Sequence, residues 1–183
     1  MSLRELPWVA EARKHIGVKE FKGKNDNNPI IVGWLKAMGH YTGEARAWWA
    51  DDDTPWCGLF TGVCLGETDR YVVKEWYRAK AWADTTHMTK LDKPAYGCLA
   101  IFTRKGGGHV GFVVGKDQKG NLMILGGNQG DKVSIAPFDP AREPEFFWSS
   151  AWGKGQYTKE NPEPEYYNLP VLTSDGKTGV SEA

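Results

Sequence analysis

The apolar residues change their spacing along the chain, helical in the first third and alternating in the second half. Trp8, Val9, Ala12 and Ile16 recur at helical intervals, with Pro7 in the favoured first-turn position and Gly17 as a stop, which predicts an amphipathic opening helix. The polar run KGKNDNNP at 22–29 predicts a loop, and Ile31, Trp34, Leu35 and Met38 predict a second helix that stops at Gly39. Trp56, Phe60, Val63 and Cys64 share a third helical face, with Thr54 or Asp53 as its cap and Pro55 inside its first turn. EWYRAKAWA at 75–83 reads as a further short helix.

From residue 98 the pattern becomes a series of short β-like runs, at 98–102, 109–115, 121–125, 132–136 and 145–149, separated by Gly, Asp, Asn or Pro clusters. Helices first and strands afterwards predict an α+β fold, its N-terminal helices packed on a mostly antiparallel sheet of about five strands. Residues 1–155 are expected to form that domain. Residues 156–183, with three prolines and five acids against two lysines, are expected to be a tail that wraps the surface or is disordered.

Composition narrows the function classes. Lys plus Arg number 23 and Asp plus Glu number 23, so no bulk charge recruits nucleic acid or an anionic membrane. No apolar run approaches the roughly 20 residues that span a bilayer. The start lacks a basic segment followed by an apolar one, so synthesis in the cytoplasm without a signal peptide is the expectation. Three cysteines without a Cys-x-x-Cys pair imply neither a disulfide framework nor structural zinc. Nine Trp, seven Tyr and seven Phe imply an aromatic core or a groove walled by rings.

Cys57 stands at the predicted start of the third helix, where free amides and the positive end of the helix dipole favour a thiolate. The bland alternative is one more small buried residue, as Cys64 and Cys98 are read to be. Of His15, His40, His87 and His109, only His109 has a strong local context. It follows Gly106, Gly107 and Gly108 and opens a strand in which Gly111 shares its face, leaving room beside the imidazole. An imidazole serving as base needs an orienting acceptor. Alternation puts Asn128 on the face of Leu122, Ile124 and Gly126, with Gln129, Asp117 and Asp131 as other choices and a plain turn as the bland reading of Asn128. Trp48, Trp49 and Trp56 flank the cysteine and would wall either a groove or the core. Asp51, Asp52 and Asp53 suit helix capping better than calcium.

TPWCGLF, GGGHVGFVVG and ILGGNQG, in this order, resemble the cysteine, histidine-dependent amidohydrolase/peptidase (CHAP) family and the related NlpC-type peptidoglycan peptidases, and within them small phage endolysin-like proteins. The likeness runs from about residue 7 to 152. It departs at Gly97-Cys98, where many relatives have Gly-Asp, and at Gly126, near which many carry an acid. The resemblance implies a papain-like fold, Cys57 as nucleophile, His109 as base and Asn128 as orienting residue, with Trp56, Trp49, Gly108 and Gln129 around the substrate. It implies no cofactor and no metal. It further implies a peptidoglycan hydrolase that cuts an amide of the stem peptide and lyses cells, acting as a monomer after delivery through a holin-type pore or an injection machine. The alternatives are an injected antibacterial effector or virion-associated lysin with the same chemistry, or a wall-binding module without catalysis.

Overall fold

Among the described residues three α-helices precede the main sheet, as the change of spacing predicts: α1 (Pro7–Lys14), α2 (Pro29–Thr42) and α3 (Cys57–Gly66). The computed structural model describes residues 3–23, 26–43 and 55–173. Asn28 caps α2 by accepting the Ile30 N–H at 2.8 Å and donates its amide to the Lys19 carbonyl, tying the preceding loop to the helix. Two features differ from expectation at α3. The residue before its first turn is Trp56, with no side-chain cap, so Pro55 lies outside the helix; Asp53 and Thr54 lie outside the described residues. The start is set from within: the Trp56 ring is fully buried, and the Trp56 carbonyl accepts the Phe60 N–H at 3.0 Å.

Residues 57–65 of α3 are buried all round, which makes α3 the central helix. Its glycines are what its neighbours require. A Cβ on Gly58 would stand 2.2 Å from the Trp76 carbonyl oxygen, so only glycine admits that backbone. The expected helix around 75–83 shrinks to a 3₁₀ turn at Ala79–Trp82, because Trp76 and Trp82 both turn into the core and the Trp82 indole donates to the Trp76 carbonyl at 3.0 Å.

The main sheet has six strands, one more than expected, ordered β1-β6-β2-β3-β4-β5 with every ladder antiparallel. They are β1 (Thr89–Leu91), β2 (Leu99–Arg104), β3 (Gly107–Lys116), β4 (Leu122–Gly126), β5 (Ser134–Phe138) and β6 (Glu145–Trp148). β7 (Ala151–Gly153) and β8 (Gln156–Thr158) form a separate hairpin. The fold is α+β. Beyond residue 155 the chain continues on the domain: β8 pairs with β7 across the expected boundary, Tyr166 packs on Trp148, and Leu172 donates to the Lys116 carbonyl at 2.8 Å. Residues 174–183 lie outside the described part.

Trp8, Trp56, Trp76 and Trp82 are fully buried, so much of the aromatic content is core. Each buried ring of that size removes about 150–250 Å² from water, which at about 25 cal/mol/Å² stabilises by several kcal/mol. Among the described residues no helix is long and apolar enough to cross a membrane.

Candidate active site

The register of β3 leaves a gap where its ladder with β4 ends. Val113 donates to Cys98 on the β2 side, so the odd-numbered amides of this stretch serve β2 and the even-numbered ones face β4. Pairing with β4 runs through Phe112↔Leu125, and β4 ends at Gly126, which leaves the Val110 N–H beyond the ladder. That amide, together with the Gly58 N–H of α3's first turn, acts on the Cys57 thiol in the direction that favours its thiolate. Gly127 makes this approach possible. A Cβ there would lie 2.6 Å from the Phe60 Cβ and 2.7 Å from the Trp56 ring, so the chain leaving β4 lies directly on the start of α3.

His109, the residue before Val110, is buried at 8% exposure and pairs with Phe102 across β2. Its Nε2 lies 2.9 Å from the Gln129 Oε1. The Gln129 amide nitrogen donates to the Ile124 carbonyl (3.1 Å) and the Ser134 carbonyl (2.8 Å), which fixes which end of the amide faces the ring. An amide oxygen only accepts, so Nε2 carries the proton and Nδ1 keeps its lone pair. The second face of the imidazole stacks on Phe138, at 5.3 Å between centroids and 6° between planes. Arg142 in turn lies over Phe138 (5.3 Å) and Phe102 (4.9 Å).

Several expectations need correcting. Asn128 does not orient the imidazole; it sits at φ 56° in the turn after β4, and the reversal there sends the next side chain, Gln129, back to the ring. Strand alternation fails because β4 has already ended. Gln129 therefore holds the imidazole, with both ends of its amide engaged inside the protein. Trp56 walls no groove: its ring is fully buried and its N–H donates to Glu20 at 2.7 Å. The room expected beside Gly111 is taken by β4, since a Cβ there would lie 2.6 Å from Ile124. Gly108 is half-buried under Ala79 and Lys80. Trp48, Trp49 and Asp51 to Asp53 lie outside the described residues. Among the described residues no three potential ligand side chains gather to hold a metal.

The electrostatics also depart from the picture of a thiolate at a helix start. Burial pushes the Cys57 thiol up, and the Val110 and Gly58 amides and the charge of Arg104 only partly offset it. Burial likewise holds His109 below the ordinary imidazole value, against the Gln129 hydrogen bond and with help from Arg104 and Arg142. Both shifts favour the neutral forms near pH 7, a thiol at Cys57 and an uncharged imidazole at His109. The other thiols are further from reaction: burial lifts Cys98 to about 12 and Cys64 well above the ordinary value.

Compared with protein-family models, with curated proteins and with solved structures, the chain matches none.

Proposed function

We propose that this chain is a papain-like cysteine amide hydrolase acting on the stem peptide of bacterial peptidoglycan. The observation that carries the reading is the junction at β3, where the Val110 amide acts on the Cys57 thiol and the preceding residue, His109, is an imidazole held by Gln129. His109 Nδ1 takes the thiol proton as sulfur attacks the amide carbonyl. The C–N bond breaks, the leaving amine takes that proton, and a thioester remains on Cys57. Water, deprotonated by the same nitrogen, then adds to the thioester, releases a carboxylic acid and restores the thiol. The Cys57 N–H, in a first turn without helical acceptors, is the donor suited to the developing oxyanion.

A buried neutral pair is compatible with this chemistry because a neutral imidazole is the competent base. The wall as target rests on the resemblance of the three motifs, and cell lysis follows from cutting it. Purified protein and Cys57→Ala are incubated with isolated peptidoglycan, following turbidity and the masses of released fragments. Release by wild type alone supports the reading, and the new termini name the bond. Equal release by both makes Cys57 structural. Binding without release by either favours a wall-binding module.

A further inference from the structure

Gln129 holds the His109 imidazole at one atom, Nε2. The outer torsion of a histidine is broad, so a single hydrogen bond leaves the ring free to swing about that contact. The second constraint comes from Phe138, the last residue of β5. Its ring lies 5.3 Å from the imidazole between centroids and within 6° of parallel, and it packs on the fully buried Phe102 at 4.7 Å. β4 stands between β3 and β5 in the sheet, so Phe138 is no ladder neighbour of His109, and the contact is made by side chains alone. Phe138 is half-buried while His109 is buried, which makes the phenyl ring the more outward of the two.

A short turn brings Arg142 to the same rings. Asp139 accepts the Ala141 N–H at 2.8 Å, the Arg142 and Glu143 amides donate back to the Asp139 and Pro140 carbonyls, and Glu143 leaves the turn at φ 49°. The guanidinium then stands 4.9 Å from the Phe102 centroid and 5.3 Å from that of Phe138, within cation–π range of both. The charges that act on the imidazole are Arg142 and Arg104, at the end of β2, and both are cations. A neutral imidazole suits this stack, because a charged one would compete with Arg142 for the Phe138 ring.

We propose that Phe138 is a positioning residue for His109, secured by Arg142: the phenyl ring fixes the plane of the imidazole and keeps water from its hydrogen bond to Gln129. As a role in catalysis this rests on the hydrolase reading. As a clamp on the imidazole it rests on the stack itself. A residue that only fills space is replaced equally well by any apolar side chain of similar bulk, whereas a positioning ring needs a flat face.

The test reads the imidazole directly, by long-range ¹H–¹⁵N NMR of the side-chain nitrogens, with His109→Gln to assign the signals. Wild type and Phe138→Tyr are expected to show one tautomer, protonated at Nε2, whose proton exchanges slowly with water. Phe138→Leu keeps apolar bulk without a flat face. It is expected to mix the tautomers and to speed that exchange about tenfold, the size of effect of losing one aromatic pair. Arg142→Gln is expected to give a smaller increase, about threefold. On peptidoglycan the Leu variant is expected to lose about tenfold in kcat with KM little changed, while the Tyr variant keeps the wild-type rate. Phe138→Met, also without a flat face, takes the place of Leu if melting shows that the Leu variant does not fold. A single Nε2 tautomer with unchanged exchange in the Leu or Met variant overturns the proposal, as does equal loosening in Tyr and Leu. Loosening with kcat unchanged, in a wild type that cuts, refutes the positioning role and leaves the hydrolase standing. Loosening as expected, with no cutting by any protein, leaves the clamp standing and removes the hydrolase.

Discussion

Gln129 holds the His109 imidazole through Nε2 at 2.9 Å, and its own amide nitrogen is clamped by the carbonyls of Ile124 and Ser134. A turn residue is thereby locked between the ends of β4 and β5 and fixes both the tautomer and the aim of a ring on β3. With the proton on Nε2, Nδ1 keeps its lone pair.

Gln129→Ala should leave the fold intact and lower kcat on peptidoglycan by about 10²-fold with KM little changed, the size of effect expected when a reacting group loses its aim. Asn128→Gly should retain most of the activity, since glycine accepts the left-handed backbone at φ 56°. Comparable losses at both positions would return the orienting role to Asn128. Initial rates of amine release, with melting temperatures as the folding control, separate the cases.

Iodoacetamide labelling followed by peptide mass mapping should modify Cys57 before the other two thiols, at a rate that rises with pH. The Val110 and Gly58 amides and the Arg104 charge favour its thiolate, while burial lifts Cys98 to about 12 and Cys64 well above the ordinary value. Preferential labelling of Cys64 or Cys98 would contradict the placement.

The acid limb of the pH–rate profile should fall below about 6.5, because burial depresses His109 and the neutral ring is the active form. Arg142→Gln removes a positive charge that opposes protonation, so the limb should move upward. Stability follows the same sign. The folded state binds the His109 proton less readily than the unfolded chain, so that contribution is present above about 6.5 and is lost as pH falls toward the lower folded value. A profile of kcat/KM against pH for both proteins, with melts from pH 5 to 8, checks both statements.

Gly126→Ala and Gly127→Ala should separate activity from stability. A Cβ on Gly126 meets the Gln129 Oε1 at 2.7 Å and the His109 Nε2 at 3.4 Å, so its main expected cost is catalytic. A Cβ on Gly127 meets the buried Phe60 and Trp56, and overpacking there should cost about 1–3 kcal/mol. Thermal melts and rates on the same preparations distinguish them.

Local chemistry was legible in the sequence wherever one segment decided the outcome. The spacing of Trp8, Val9 and Ala12, the change to short alternating runs after residue 98, and the strand that carries His109, although it starts two residues earlier at Gly107, follow from periodicities that a single element carries in its own residues. What only the tertiary structure decided depended on partners distant in the chain. Trp56 reads equally as wall or core until Glu20 and Gly127 close over it. Asn128 and Gln129 are adjacent and both polar, and the backbone reversal at φ 56° selects between them, a choice that alternation cannot express once a strand has ended. The protonation of Cys57 and His109 was set the same way: the helix start favours a thiolate locally, and burial by the rest of the fold outweighs it, because desolvation is a property of everything packed around a group.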